Sequence, residues 1–551
     1  MKGFLIAILF ALPVGAAGQH GHQSTTQLKK TDILIEKGLG RVHHVVTTNN
    51  SLAQRFFDQG LAYIYAFNHQ EAIRSFKRAA ELDPRMAMAH WGIALALGSN
   101  YNLEADSEQL KEAYANLRIA MGLAAKASPS DKAYIDALSY RYSTDPEADR
   151  KKLAMEYSAA MAGLVKKYPN DLDAATLYAE SMMNLHPWQL WSSDGKPADN
   201  TLEIIAVLEG VLKRNWGHIG ANHYYIHAVE ASPNPERAMP SAKRLGLLAP
   251  GAGHLVHMPS HVYIRTGDYV NAAVANSNAI VVDENFIRKN GPGGVYPMMY
   301  YNHNIHFLAS ASAMNGNFAQ AMANSRKLQA SVSPMLKDMP MLEMFAAYPM
   351  TTLVRFNRWD DILKEPQPDK DMQVMSAMWH FARGMAMART GKPEGAEAEL
   401  AAFRATLSRV SQIFPLGNNT APSVLKVPET LLSGEVAAAK GEKASSVTLF
   451  RQAVLFQNGL IYNEPPDWDL PTGEYLGRAL LSSGQFAEAE KAYRADLAKR
   501  PKNGRTLFGL IEALKKQGRN AEVPKLIAEL RQAWSRADTK LFVVDLYNTP
   551  H

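Results

Sequence analysis

Residues 56–84, which read FFDQGLAYIYAFNHQEAIRSFKRAAELDP, decide the fold of this chain. Their apolar residues recur with the period of a helix, and almost no strand-like alternation occurs anywhere in the sequence. Gly60 and Ala72 are small, which lets two helices cross closely, and Pro84 ends the second helix because proline cannot continue one. The stretch therefore predicts a pair of packed helices.

The same spacing returns further along the chain. Gly484 and Gly518 lie 34 residues apart, and helix-like periodicity runs from about Ser51 to about Trp534. The matching positions are Phe56, Gly60, Tyr63, Ala72, Phe76, Ala79 and Pro84 near the start, Gly477, Gly484, Phe486, Ala489, Tyr493 and Pro501 near the end, and Tyr263, Gly267, Tyr269 and Ala272 between them. This pattern resembles the tetratricopeptide repeat (TPR) family. The resemblance implies an all-α fold, a right-handed TPR-like helical-hairpin solenoid or superhelix.

Seven segments are predicted along this solenoid. They are a signal peptide at 1–18, a polar N-terminal segment at 19–50, N-terminal TPR-like repeats at 51–200, central histidine-rich repeats at 201–330, degenerate repeats at 331–460, C-terminal TPR repeats at 461–534 and a C-terminal tail at 535–551. The strings YAFNHQEA at 65–72, HWG at 90–92 and MPSHVYIR at 258–265 are similar to a group of large exported bacterial TPR proteins. That resemblance implies the fold and export, and it leaves the function open.

The first residues have the form of a secretory signal. Lys2 supplies a positive charge, residues 4–12 form a short apolar run, and residues 14–18 are small enough for cleavage. The run is too short to span a membrane, and the alternative is a buried N-terminal helix. We therefore expect a periplasmic or secreted protein that is not inserted in a membrane after cleavage. Cleavage after Ala17 would leave Gly18-Gln19-His20, a possible amino-terminal copper or nickel chelate, whereas a solvated tail is the alternative.

The composition excludes several classes of function. The net charge is +6 and only 20% of residues are charged, with no basic stripe of the kind that nucleic acid needs. The chain has no cysteine, which excludes disulfides, thiolate ligands and a cysteine nucleophile. Gly291-Pro292-Gly293-Gly294 is not a phosphate-binding loop, because no Gly-Lys-Ser/Thr follows it.

Histidines in the central repeats are spaced in register with one another. His223 and His227 lie 34 residues before His257 and His261, and 34 residues is the length of one repeat. His254 and His257 lie 49 residues before His303 and His306, which implies an insertion; the clearest one covers residues 285–297. Equivalent positions in adjacent repeats lie side by side, so these imidazoles are expected to converge.

The TPR resemblance also implies which face these side chains occupy. It places His223, His227, His254, His257, His261, His303 and His306 on the concave groove of three successive helix pairs. Imidazole nitrogen binds zinc, copper or iron at about 2.0–2.1 Å. We therefore predict a divalent transition metal site, with His223, His227, His257 and His261 as the primary ligands.

Two other interpretations of the histidines remain open. The imidazoles could stack and hydrogen-bond to one another and to Tyr224, Tyr263 and Asn302 as part of the fold, or they could form a neutral pocket for an anionic or aromatic ligand. In either case burial predicts that an unliganded cluster titrates below the usual value of about 6.5.

Glu230 lies three residues after His227, on the same helical face. It is a candidate catalytic general base on a metal-bound water, a carboxylate ligand, an outer partner that orients a histidine, or a solvated side chain. Pro259 leaves it open whether a helix begins near Met258 or is kinked there.

Two loops near aromatic residues have similar alternatives. Residues 184–191 (NLHPWQLW) and 463–468 (NEPPDW) could border the groove, and packing of a repeat connector is the favoured alternative for each. The sequence thus predicts a periplasmic solenoid with a histidine-rich metal-binding groove that could be catalytic. Such an enzyme would be a metal-dependent oxidoreductase or hydrolase. The alternative is a non-enzymatic scaffold that binds a peptide or protein partner in the groove.

Overall fold

The computed structural model describes residues 33–145 and 147–547. Within those ranges the predicted all-α fold, a TPR-like helical-hairpin solenoid, is confirmed. The α-helices, in chain order, are α1 Ser51–Tyr65, α2 His69–Leu82, α3 Ala87–Leu97, α4 Ser107–Leu123, α5 Pro129–Ser139, α6 Arg150–Lys167, α7 Leu172–Met183, α8 Thr201–Arg214, α9 Ile219–Glu230, α10 Met239–Leu248, α11 Gly253–His257, α12 Pro259–Arg265, α13 Tyr269–Asn290, α14 Asn302–Met314, α15 Phe318–Val332, α16 Glu343–Ala346, α17 Tyr348–Arg355, α18 Trp359–Lys364, α19 Gln373–Arg389, α20 Pro393–Leu407, α21 Ala421–Ala439, α22 Lys443–Asn458, α23 Thr472–Ser482, α24 Phe486–Lys499, α25 Gly504–Lys516 and α26 Val523–Ala533.

The remaining regular elements are short. One pair of two-residue antiparallel strands, β1 at Pro415–Leu416 and β2 at Asn419–Thr420, precedes α21. The other short helical segments are 3₁₀ turns at Ala124–Lys126, Pro235–Ala238, Ser333–Met335, Pro340–Leu342 and Val543–Leu546, and a π-helical turn at Pro297–Tyr301. In the described part of the chain, no helix combines the length and apolar character needed to cross a bilayer.

Glycines at the helix crossings explain the repeat pattern physically. The Phe76 ring of α2 is wedged between α1 and α3, so that a Cβ on Gly60 or on Gly92 would come within 2.5–2.6 Å of its ring atoms. The C-terminal repeats use the same device, since the Tyr493 ring of α24 occupies the space beside Gly477 and Gly509. One aromatic residue thus joins three consecutive helices, and only glycine leaves room for it.

The stacked pairs place the histidine-bearing helices next to one another. Helix α9 contacts α12 and also reaches α1, while α13 packs against α11, α12 and α14. The predicted insertion at residues 285–297 is helical in its first part, because α13 continues to Asn290 before the Gly291 turn. The following π-helical turn leads directly into α14.

The solenoid also contacts itself across a long sequence distance. Asp469, in the connection before α23, accepts hydrogen bonds from Ser310 of α14, at 2.9 Å, and from Tyr348 of α17. The loop that contains residues 463–468 is thereby held against the central repeats. The predicted signal peptide and the Gly18-Gln19-His20 motif lie outside the described residues.

Candidate metal centre

Six of the seven predicted histidine ligands form one buried group, which we call the histidine cluster. Its members are His223 and His227 on α9, His254 and His257 on α11, His261 on α12 and His303 on α14. The first five are between 0% and 2% exposed, and His303 is half-buried. The structure places His306 elsewhere: its ring packs against Phe345 and Tyr348, with ring centroids 5.0 and 4.5 Å away.

The break at Pro259 keeps the cluster together. Helix α11 ends at His257 and α12 begins at Pro259, but Met258 between them keeps helical angles of φ −49° and ψ −34°. The chain therefore continues in nearly the same direction with an interrupted hydrogen-bond ladder, which corresponds to the kink rather than to a new helix start. His254 and His257 consequently remain helical and reach the same space as His261.

The first triad consists of His223, His227 and His254, which can each present one ligand atom within 4.8 Å of the others. The Nε2 atoms of His223 and His254 are 3.0 Å apart. The Nδ1 atom of His223 lies 2.7 Å from the carbonyl oxygen of Tyr65 at the end of α1. A carbonyl only accepts hydrogen bonds, so this Nδ1 carries the hydrogen and Nε2 of the neutral ring has a lone pair.

The second triad consists of His257, His261 and His303, which satisfy the same 4.8 Å limit. Nε2 of His257 lies 2.8 Å from Nε2 of His261 and 3.2 Å from Nε2 of His303. Asn276 donates its side-chain amide to the carbonyl oxygen of Ala272 at 2.8 Å, so its own oxygen accepts from Nδ1 of His257 at 2.7 Å. Nε2 of His257 therefore also has a lone pair.

Glu230 joins the two triads. One carboxylate oxygen lies 2.8 Å from Nδ1 of His227, and the other is in close contact with Nδ1 of His261. Burial alone would raise the pKa of Glu230, but His261 and His227 outweigh it and lower that pKa to about 2. The carboxylate is thus ionised and accepts from Nδ1 of His227, and its close contact with Nδ1 of His261 also requires a hydrogen on that nitrogen, so the Nε2 atoms of both rings keep lone pairs.

The arrangement leaves nitrogen lone pairs facing one another without a donor. Nε2 of His227 is buried and has no hydrogen-bond partner in the described residues. Nε2 of His257 and Nε2 of His261 approach to 2.8 Å although the Nδ1 atom of each ring holds the hydrogen. Such a contact requires a bridging proton or a metal ion, because two lone pairs at that distance repel each other.

Four rings of the histidine cluster favour the neutral form. Burial, followed by the charges of neighbouring histidines, lowers the pKa of His223, His254, His257 and His303 well below the usual histidine value. Burial also lowers the pKa of His306 to about 3. The prediction that the free cluster titrates below 6.5 is confirmed for these residues. Neutral imidazole is the form that binds a metal ion.

Of the two loops identified in the sequence, the first contacts the cluster and the second interacts with it electrostatically. Trp188 stacks on Tyr101 at 5.4 Å, and both rings lie against His227, at 5.9 and 5.2 Å. In the second loop, burial raises the pKa of Glu464 to about 7, with Arg265 and His261 acting in the opposite direction. One oxygen of Glu464 is buried without a hydrogen-bond partner in the described residues.

Sequence reasoning missed the acceptors that fix the imidazoles. Asn276 and the Tyr65 carbonyl lie 19 and 158 residues from the histidines they hold. A backbone carbonyl leaves no trace in residue type, whereas Asn276 on α13 carried a weak signal as an amide among alanines. For Glu230, the geometry matches the orienting role, since both oxygens face Nδ1 atoms and the side chain is 1% exposed.

Comparison with known families supports the repeat assignment at both ends. The tetratricopeptide repeat model matches residues 57–118 and 476–536. No curated protein sequence matches this chain. The central histidine-bearing helices lie outside the two matched stretches.

Solved structures match most of this chain at low identity and low TM-score. A human IFIT1 dimer with m7Gppp-AAAA has 11% identity and a TM-score of 0.31, covering 89% of this chain and 91% of that chain. The Cut9–Hcn1 hetero-tetramer of the APC/C has 10% identity and a TM-score of 0.29, with coverages of 91% and 96%. Yeast Tom70 has 11% identity and a TM-score of 0.29, with coverages of 88% and 93%. At these scores the fold assignment rests on this chain's own helices.

Proposed function

We propose that this chain is an exported TPR solenoid that binds divalent transition metal through the histidine cluster. The observation that carries the proposal is the set of hydrogen positions. Four of the six rings hold their hydrogen on Nδ1 against a fixed acceptor, and their Nε2 lone pairs therefore face the interior of the cluster. A metal ion satisfies several such lone pairs at once, whereas a proton joins only two nitrogens.

The donor set restricts the metal. Imidazole nitrogen suits zinc, copper, iron or nickel, whereas calcium and magnesium prefer oxygen ligands, so a site built from six imidazoles does not suit them. The outer partners Glu230, Asn276 and the Tyr65 carbonyl orient the rings, as is usual for metal-bound histidine. Export to the periplasm follows from the predicted signal at residues 1–18 and is part of the proposal.

A catalytic role requires an open coordination position, and a three-histidine set leaves one on zinc or copper. Glu230 cannot reach such a position while both its oxygens face Nδ1 atoms. If the centre is catalytic, as a metal-dependent oxidoreductase or hydrolase, one carboxyl group from outside the cluster that interacts electrostatically with His261 is Glu464, whose pKa burial raises to about 7.

The test is metal analysis of the purified chain, first as isolated and then after chelation and reloading with zinc, copper or ferrous iron. The variant that replaces His223 and His303 together by Ala removes one ligand from each triad. We expect it to lose at least nine-tenths of the bound metal while the far-ultraviolet helical signal is retained. Full metal content in this variant would refute the proposal.

His306→Ala is the matched control for that experiment. His306 lies on α14 one turn from His303 and is also buried, but its ring faces Phe345 and Tyr348. The control should keep its metal, so that loss of metal in the ligand variant reports on coordination rather than on the packing of α14. Equal losses in the two variants would show that the helix, and not the ligand, is responsible.

A second candidate function is capture of a peptide or protein partner, which the TPR fold alone supports. The specific observation is a cavity of about 70 Å³ whose lining includes Arg355, Arg478 and Arg505, together with Asp545 and with Glu474, which pairs with Arg355. Burial, followed by the charge of Arg355, lowers the pKa of Arg505 to about 10, as expected for a guanidinium that would gain from an anion. A partner that co-purifies with the chelated chain and is lost with Arg505→Ala would favour this function over the metal centre.

A further inference from the structure

We propose that the histidine cluster is a two-ion centre, with one metal ion in each triad and a small ligand bound between the ions. This inference rests on the proposed function and adds the number of ions, their linkage and the size of the molecule that reaches them.

The nitrogen positions separate into two sets rather than one. Two ligands on a single ion at 2.0–2.1 Å are no more than about 4.2 Å apart. Three nitrogens of the first triad meet within 4.8 Å of one another, and so do three nitrogens of the second triad. Small ring rotations bring each set within the range of one ion, so each triad suits an ion of its own.

The two triads are in direct contact. Between the triads, the ring centroids of His227 and His261 are 5.5 Å apart and those of His254 and His257 are 5.8 Å apart. Within the first triad, the widest pair, His227 and His254, is 6.2 Å apart. Ions in the two triads would therefore be neighbours, as in known two-metal sites.

Glu230 provides a link that a pair of independent sites would lack. Its carboxylate contacts one histidine of each triad, since one oxygen accepts from His227 and the other is in close contact with Nδ1 of His261. An ion bound in one triad draws electron density from its imidazole, which makes the Nδ1–H group of that ring a stronger hydrogen-bond donor to Glu230. The charge on the Glu230 carboxylate, which also faces the other triad, changes as a result. Loss of the Glu230 charge should therefore weaken both sites together.

The ligand between the ions must be small. Each triad supplies three nitrogens, and zinc or copper takes at least a fourth donor. The cluster is closed by Trp188 and Tyr101 beside His227, and its five most buried histidines are at most 2% exposed. The fourth donor is therefore a water, a hydroxide or a molecule of two or three atoms that bridges the two ions.

The experiment is to load the chelated chain with Cu²⁺ and to measure bound copper per chain together with the integrated electron paramagnetic resonance (EPR) signal. We expect two copper ions per chain and a signal of less than about a fifth of the bound copper, because ions joined by a bridging ligand couple. Azide, as the small bridging probe, should add a near-ultraviolet absorption band.

Two single-ligand variants show which triad binds each copper ion, and a third tests the link through Glu230. His303→Ala, at the half-buried position, should bind one copper with its full signal, and His223→Ala should do the same for the other triad. Glu230→Gln should weaken both sites by about 10- to 100-fold. Should His223→Ala fail to fold, His303→Ala alone still decides the count.

The possible failures are distinguishable. No copper retained above the chelated background would refute the metal-binding function itself. One copper per wild-type chain would leave that function intact and overturn the two-ion centre. Two coppers with a full signal would overturn the bridging ligand, and a Glu230→Gln effect on only one site would overturn the linkage through Glu230.

Discussion

In the residues that the structure describes, three groups of three possible metal ligands approach within 4.8 Å: the two triads of the histidine cluster, and His44 with Asp171 and Asp173. The last group, which we call the Asp173 cluster and which also includes His218, is built in the opposite way to the histidine cluster. Nδ1 of His218 accepts from the Ala221 amide at 3.1 Å, so its hydrogen is on Nε2, 3.2 Å from Asp173. Each imidazole hydrogen there points at a carboxylate.

In the histidine cluster the nitrogen lone pairs point at one another. Tyr65 contacts both clusters. Its hydroxyl donates to Asp173 at 2.5 Å, and its carbonyl oxygen accepts from Nδ1 of His223 in the histidine cluster. Close ligand atoms are therefore not sufficient to indicate a metal. The informative feature is whether the lone pairs already have donors, and of these two clusters the histidine cluster is the one that has a buried Nε2 atom, on His227, with no hydrogen-bond partner in the described residues.

The pKa shifts of the histidines in the two clusters have opposite directions. Burial would lower the pKa of His44, but the hydrogen bond and charge of Asp173, with Asp171 and Asp131, outweigh it and raise that pKa. In the histidine cluster, burial and neighbouring imidazoles act together and lower the pKa of His257. Carboxylates stabilise a cation in one group, and the other favours neutral rings.

The largest expected effect is the loss of stability on chelation. An ion that binds only the folded chain at 1,000 times its Kd adds about 4 kcal/mol to the free energy of unfolding, so two ions add about 8 kcal/mol. Urea unfolding of the loaded and chelated chains measures this difference. His257→Ala should abolish at least half of it, whereas His44→Gln should leave it unchanged. If His44→Gln instead reduced the stability lost on chelation, the metal would be bound at the Asp173 cluster.

Removing the carboxylate of the Asp173 cluster should affect stability alone. Asp173→Asn leaves Tyr65, His44 and His218 without the anion they face, and we expect a loss of about 1–3 kcal/mol in the free energy of unfolding. The metal content should be the same as that of the wild type. Loss of metal in this variant would mean that the two clusters are coupled through Tyr65.

The sequence could predict the fold and most of the histidine cluster, for identifiable reasons. The 34-residue spacing requires His227 and His261 to lie side by side once the repeats stack, and their rings are 5.5 Å apart. The position of His306 could not be predicted. It lies three residues after His303 on α14, and its ring faces Phe345. The repeat spacing does not predict where the helices that carry its neighbours lie. Metal binding itself stays a prediction.

The role of Glu230 could be narrowed only with the structure. Its spacing from His227 allowed four roles, and the choice depends on His261, which reaches Glu230 from a separate helix across the break at Pro259. The hydrogen position on His257 likewise depends on the orientation of Asn276, which a backbone carbonyl fixes. Such contacts are set by tertiary packing and not by local sequence.

The pH dependence of the chelated chain should have opposite signs in the two clusters. The raised pKa of His44 contributes stability that is present below about 6.5 and is lost as pH rises through the folded value. His44→Gln should therefore cost more at pH 5.5 than at pH 7.5. The lowered pKa of His257 has the opposite effect, because the unfolded chain takes up a proton at this residue at low pH and the folded chain does not. His257→Ala should therefore reduce the free energy of unfolding less at pH 5.5 than at pH 7.5, by at most about 1.4 kcal/mol. The same sign for both variants would contradict the assignment.

The smallest expected effect concerns access to the cluster. Trp188 covers His227 but donates no ligand, so Trp188→Ala should leave the number of bound ions unchanged. It should speed the release of metal to a chelator by about three- to tenfold, a change below about 1.4 kcal/mol in the barrier. Stopped-flow measurement with a chromogenic chelator gives the rate. An unchanged rate would show that metal leaves by another route.

Anomalous diffraction from a metal-loaded crystal, measured on both sides of the metal absorption edge, would locate the bound ions directly. We expect a strong peak within about 2.0–2.1 Å of Nε2 of His223, His227 and His254, and another within the same distance of Nε2 of His257, His261 and His303. No peak should lie beside His44 and Asp173. An empty histidine cluster in a crystal grown from metal-loaded protein, or a peak at Asp173 instead, would contradict it.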